Sequence, residues 1–245
     1  QAPLKEQKQA VGHAVRAAYL YSGATDVARL CDDAELFESL KNLFYDVINT
    51  KMYVTGAIGA HSVSERFSVS YDLPSDRAYA ETCASIGLAL WAMRMLKVEL
   101  NEDYAATMER ALYNTLLSGV SMDGVKYFYV NPLCVEPNVA EFRFDTDHVK
   151  TERVEWFGCA CCPPNIARTL ATFGKFIYTE MPDGYAINLF VDSALTCEKG
   201  DILLKGSIFD DGKLILSAPL GTTVYIRVPS WADCVCIDGI KVDAG

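Results

Sequence analysis

Apolar residues recur at helical spacing through the first two-thirds of the chain and alternate with polar ones through the last third. From 7 to 21, Val11, Val15, Ala18 and Tyr19 share one face, and Ser22-Gly23 reads as a break. A second helix is expected from Asp26 to Ile48, with Leu30, Ala34, Phe37, Leu40 and Phe44 apolar. The stretch YVTGAIGAHSVSERFSVSYDLPSD, 53–76, carries glycines, a proline and no helical period. It reads as a long loop, and long loops in compact domains usually serve function. Helices follow at 80–97 and 102–118, then extended GVKYFYVNPL, an irregular segment to Gly158, and a last helix from Pro163 to Tyr178. After MPDG, 181–184, YAINLFVDSALTC and the segments beyond it alternate between turn residues, as antiparallel strands do. The expected fold class is mostly α and then β. Helical hairpins in series suggest a toroid or barrel of helix pairs, about half of it present, followed by the start of a β-sandwich. The boundary falls near 181, giving units 1–181 and 182–245.

Charge narrows the partners. With 32 acidic against 22 basic residues, the balance argues against nucleic acid and anionic membranes, whose phosphates need basic patches. A neutral polar substrate such as a sugar is compatible. No apolar run is long enough to span a bilayer, and no signal-peptide pattern opens the chain. The sequence starts without Met, directly in helical periodicity, and stops within a β-rich region, as an internal fragment would.

Nine cysteines do not lie at the spacings of a disulfide framework. Cys31, Cys134 and Cys197 read as buried small apolar residues, and Cys234 and Cys236 as neighbours on one strand face. GCACCPPN, 158–165, is different: three thiols in four positions, then two prolines. Pro163 and Pro164 lack N–H donors and suit a first helical turn, so Cys161 and Cys162 sit at a helix N-terminus. The helix dipole there favours an anion and lowers a thiol pKa. YAETCAS adds Glu81 and Cys83. One carboxylate and up to four thiolates have the composition of a tetrahedral zinc site. A redox reading of Cys159 and Cys162 lacks the βαβ context it requires. A structural zinc would more commonly use closely spaced knuckles, whereas these halves lie about eighty residues apart. Glu65, in SVSERF, has only Arg66 as a neighbouring cation, and a surface salt bridge is its plain reading.

Taken together, TGAIGAHSVSERFSVSYDLPSDRAYAETCASIG, WFGCACCPPNIARTLATFGKFIY and EQKQAVGHAVRAAYL resemble the β-L-arabinofuranosidases of glycoside hydrolase family 127 and its sister family 146. The resemblance implies an (α/α)6 barrel followed by β-sandwich domains. It implies that Glu81, Cys83, Cys161 and Cys162 hold Zn2+, that Cys161 is also the nucleophile, and that Glu65 is the general acid/base. His13 and Tyr129 match substrate-binding positions, while Cys159 is expected to pack beneath the cluster as a non-ligand. The family's G-E-x-F pattern has Ser64 where glycine is usual. His61 and His148 match nothing and read as surface residues.

The implied activity is zinc-dependent, retaining removal of terminal β-L-arabinofuranose or a related pentose from an arabinose-containing glycan. Two alternatives stand beside it: a carbohydrate-binding or structural zinc protein without catalysis, and another helical-barrel sugar enzyme such as an epimerase or phosphorylase. The presence of Glu65 favours the hydrolase, and three histidines are few for an epimerase. A cytoplasmic location suits clustered thiols, although zinc would also protect them in a periplasm. A homodimer is left open, and no nucleic-acid or membrane partner is expected.

Overall fold

The computed structural model describes residues 2–140, 142–208 and 211–242. Its first hairpin pairs α1 (Ala14–Leu30) with α2 (Ala34–Thr50). The helix runs straight through Ser22-Gly23, where a break was expected, and ends instead at Cys31. Two features explain the difference. A Cβ on Gly23 would meet nothing, so that glycine costs only propensity. Asp32 turns the chain at φ 54°, and the Asp33 carboxylate caps α2 by accepting from Leu36 N at 3.0 Å.

α3 (Thr82–Leu96) is apolar on nearly every face and is buried along almost its whole length. It packs against α1 and against α4 (Glu102–Arg110). Trp91, Phe44, Tyr21 and Tyr104 meet where these helices cross, with ring centroids 4.8–4.9 Å apart for Tyr21–Trp91, Phe44–Trp91 and Phe44–Tyr104. α4 continues through a π-helical stretch, Ala111–Leu116, into α5 (Leu117–Gly119). α6 (Pro137–Ala140) is a single turn in the irregular segment. α7 (Cys162–Ala171) packs against α3, and a break at Thr172-Phe173 separates it from α8 (Gly174–Ile177).

Strands follow. β1 (Tyr178–Met181) and β2 (Gly184–Ile187) form an antiparallel hairpin. β3 (Ser193–Cys197), β4 (Gly200–Ser207) and β5 (Lys213–Ser217) make an antiparallel sheet. β6 (Thr223–Ile226) returns to pair with β2 in parallel, an arrangement the alternation pattern does not reveal. A side chain on Gly184 would collide with the Thr223 carbonyl, so glycine permits this pairing. β7 (Val235–Ile237) and β8 (Ile240–Val242) form a last hairpin. The protein is helical first and built from small sheets afterwards.

The scattered cysteines depart from expectation. Cys31 and Cys134 are exposed and Cys197 is half-buried, because each lies at an element end or in a loop that no second layer covers. Cys234 and Cys236 are free and exposed, with only Cys236 inside β7. No helix among the described residues is long and apolar enough to cross a membrane.

Candidate active site

Burial of α3 carries its N-terminus into the interior. Glu81 is the residue before the helix and Cys83 the second within it. The entry is clamped from outside: Thr82 N donates to Tyr129 O at 2.9 Å, and the Asn131 amide donates to Ala80 O and Thr82 Oγ1 at 3.1 and 3.0 Å. α7 brings its own N-terminus to the same place, with Cys161 as the capping residue and Cys162 at the first helical position. The prolines follow in the first turn, where a missing N–H costs no intrahelical bond.

Four ligand atoms therefore converge. Cys83 Sγ lies 3.6 Å from both Cys161 Sγ and Cys162 Sγ, which are themselves 3.7 Å apart, and Cys161 Sγ is 3.2 Å from Glu81 Oε1. Cys162, Cys83 and Glu81 are buried; Cys161 alone is partly open. Glu81 Oε2 is buried with no hydrogen-bond partner. This group could hold a metal ion.

Charge in the pocket argues the same way. Burial raises the Glu81 carboxyl, opposed by its contact with Cys161. Burial likewise pushes Cys161 up, while Cys162 is raised first by its contact with Cys83 and then by burial. Only Cys83 is lowered, chiefly by the Cys162 hydrogen bond. Four potential anions this close form a site that a cation would stabilise.

Glu65 stands beside this cluster. Its loop closes between His61 and Arg66, each backbone N–H donating to the other's carbonyl at 3.1 Å, and Phe67 N ties it to Gly12 O at 3.0 Å. The carboxylate does not pair with Arg66. His13, the residue before α1, places Nε2 2.7 Å from Glu65 Oε2, and Tyr79 donates to Oε1 at 3.0 Å. His13, Glu65 and Glu81 bring ligand atoms within 4.8 Å of one another, so Glu81 belongs to both groups. Tyr129 Oη lies 3.0 Å from Cys161 Sγ.

The fold brings His13, Glu65, Glu81, Cys83, Tyr129, Cys161 and Cys162 into one pocket. Cys159 is exposed and does not pack beneath the cluster, because it precedes the helix that turns Cys161 inward. His148 is not a surface residue: its side chain is 12% exposed, and Nε2 lies 3.2 Å from Arg77 O. Sequence reasoning missed Tyr79, whose only signal was its place two residues before Glu81. It also missed Asn165, which hydrogen-bonds Cys83 while accepting from Tyr19 at 3.0 Å.

Residues 1–175 match the family model of the β-L-arabinofuranosidase GH127 catalytic domain. The chain belongs to this family. A non-reducing end β-L-arabinofuranosidase of Bifidobacterium longum subsp. longum is 39% identical over 240 residues, covering 94% of this chain and 36% of the relative. A crystal structure of a GH127 β-L-arabinofuranosidase from Geobacillus stearothermophilus T6 superposes with a TM-score of 0.92 at 44% identity, over 98% of this chain and 39% of that one. A second GH127 β-arabinofuranosidase structure gives 0.84 at 33% identity, over 99% of this chain and 40% of that one. This GH127 chain thus spans a little over a third of the length of these relatives.

Proposed function

We propose that the chain carries the catalytic centre of a zinc-dependent, retaining glycoside hydrolase that removes non-reducing terminal β-L-arabinofuranose, or a related pentose, from arabinose-containing glycans. On this reading 1–181 is the C-terminal half of an (α/α)6 barrel and 182–245 the start of a β-sandwich domain. The paired helices and successive small sheets support that division. The observation that carries the reading is a thiol–carboxylate cluster set beside a second, separately hydrogen-bonded carboxylate.

The donor set fits zinc. Thiolates select a soft divalent ion, and a tetrahedron with Zn–S bonds of about 2.3 Å has S···S edges of roughly 3.8 Å. The observed separations of 3.6, 3.6 and 3.7 Å are close to that edge, and the unpartnered Glu81 Oε2 is a free donor atom. Glu81, Cys83, Cys161 and Cys162 would hold the ion, whose charge, when bound, would keep the thiols ionised.

Cys161 is suited to be the nucleophile because it alone of the three is partly open, while Cys83 and Cys162 are sealed. In the first step Cys161 Sγ attacks the anomeric carbon, the C–S bond forms, and the glycosidic C–O bond breaks as Glu65 gives its proton to the leaving oxygen. In the second, Glu65 takes a proton from water, whose oxygen attacks the same carbon and releases Cys161. Two inversions give retention. His13 and Tyr129 line the site as sugar contacts, and Tyr129 also holds Cys161 in place.

The test is zinc content and turnover of 4-nitrophenyl β-L-arabinofuranoside by wild type, Cys161→Ser and Glu65→Gln. About one zinc per protein is expected in the wild type. Cys161→Ser should be inactive, and Glu65→Gln should keep its zinc while kcat falls by about 10²–10⁴, because the water that releases Cys161 loses its base whatever the leaving group. Absence of zinc from fully reduced protein, or normal turnover by Cys161→Ser, would overturn the reading.

A further inference from the structure

We infer that Tyr79 is a positioning residue for the acid/base: it caps Glu65 Oε1, which leaves Oε2 as the oxygen that gives and takes the proton. This rests on the assignment of Glu65 proposed above. The two carboxylate oxygens have unlike partners. Oε1 accepts from the Tyr79 hydroxyl at 3.0 Å, and Oε2 faces His13 Nε2 at 2.7 Å. His13 is a proposed sugar contact, so its imidazole can turn to substrate and release Oε2. Tyr79 is instead fixed by the packing around it.

The tyrosine is held firmly. It lies between fully buried Ala78 and Ala80, and Ala80 N donates to Gly59 O at 2.7 Å. Its ring packs edge-on against Tyr129, with centroids 6.0 Å apart, and lies tilted against His148 at 5.7 Å. Glu65 itself needs such a hold. It ends a single 3-10 turn, Val63–Glu65, between two irregular stretches, and has a left-handed backbone with φ 50°.

The hydrogen bond does more than orient. While Glu65 is a neutral acid, Oε1 is a carbonyl oxygen that accepts weakly. As the Oε2–H bond breaks and the proton passes to the glycosidic oxygen, negative charge spreads to Oε1 and the Tyr79 contact becomes charge-assisted. A bond that strengthens towards the transition state raises the rate and leaves ground-state binding nearly unchanged. Its value depends on how much proton donation the leaving group needs.

Leaving-group dependence is therefore the readout. In the zinc-loaded protein, kcat/KM is measured for 4-nitrophenyl β-L-arabinofuranoside, whose phenolate leaves with little help, and for a β-L-arabinofuranosyl disaccharide, whose sugar alkoxide must be protonated. Tyr79→Phe should cost about ten- to hundredfold on the disaccharide, carried in kcat, with a much smaller loss on the aryl glycoside. The ratio of the two values on one preparation does not depend on the folded fraction, so partial misfolding cannot imitate the effect. Glu65→Gln is run in parallel. If Glu65→Gln shows the selective loss and Tyr79→Phe does not, the role of Tyr79 is overturned. If Glu65→Gln itself shows no selectivity, the acid/base reading falls instead.

Discussion

Ser64 and Glu65 both have left-handed backbone, at φ 62° and 50°, and neither is glycine. A side chain there costs on the order of 1 kcal/mol, the region being natural only to glycine. Such strain persists where the surroundings over-determine it, here the paired His61 and Arg66 backbones and the two grips on the Glu65 carboxylate. Ser64→Gly should relieve the strain while adding freedom to the unfolded chain, two effects of similar size and opposite sign. Its thermal midpoint should stay within about 3 °C of wild type and its turnover should be retained. Ser64→Val, β-branched at a positive φ, should keep zinc but lose turnover as Glu65 moves. Normal kcat in that variant would show that the loop does not set the carboxylate. Glu65 was legible as a carboxylate in a long loop. Its release from Arg66 to His13 and Tyr79 was not, because those contacts join residues fourteen and fifty-two positions away that periodicity does not relate.

Among elements, the loop before Glu65 is seated on a helix of unusual pitch. Gly56, at φ 81°, lies where any Cβ would be 2.7 Å from Ala111 N and 2.8 Å from its Cα, at the start of the π-helical stretch. Thr115 Oγ1 donates to Thr55 O at 2.8 Å in the same contact. Gly56→Ala combines a strained backbone with a collision against main chain, which cannot yield as a side chain would. It should destabilise by about 2–3 kcal/mol and lower the thermal midpoint by about 4–12 °C. An unchanged midpoint would mean that the loop can rise off the helix freely. The long helices were legible in order, but the short turns among them and their ends were less so. Asp32-Asp33 is a better stop-and-start signal than Ser22-Gly23, because a capping carboxylate satisfies an orphan N–H while a mid-helix glycine merely lowers propensity.

At the scale of the whole molecule, a buried cluster of one arginine and two carboxylates joins the helices to the sheets. Arg227, just beyond β6, places Nη2 2.6 Å from Glu109 Oε2 and Nε 3.4 Å from Glu102, with these side chains 6%, 9% and 14% exposed. Trp231 Nε1 also donates to Glu109 at 2.9 Å, and Ser230 N to Glu102 at 2.9 Å. Arg227→Met would leave two buried carboxylates without their cation, at a cost of about 3–5 kcal/mol. Thermal unfolding should move down by about 6–20 °C. A shift under about 2 °C would show that the sheets do not depend on this cluster. Nothing in the local pattern marks Arg227, since its partners lie 118 and 125 positions earlier.

The sequence alone determined what depends on local chemistry and composition. Helical periodicity giving way to alternation set the order of helix and strand, and the prolines after Cys162 placed two thiols at a helix start. The residue types of YAETCAS and GCACCPPN set a donor list suited to a soft metal. Tertiary structure decided everything that needs distance across the chain. It sealed Cys83 and Cys162 and left Cys161 open, because the buried α3 and the approach of α7 fix which sulfur faces outward. It left Cys31, Cys134 and Cys159 exposed, since burial depends on what packs over a residue and not on its type. It also joined Glu65 to Tyr79 and His13, a contact made only when the loop closes on two helix N-termini.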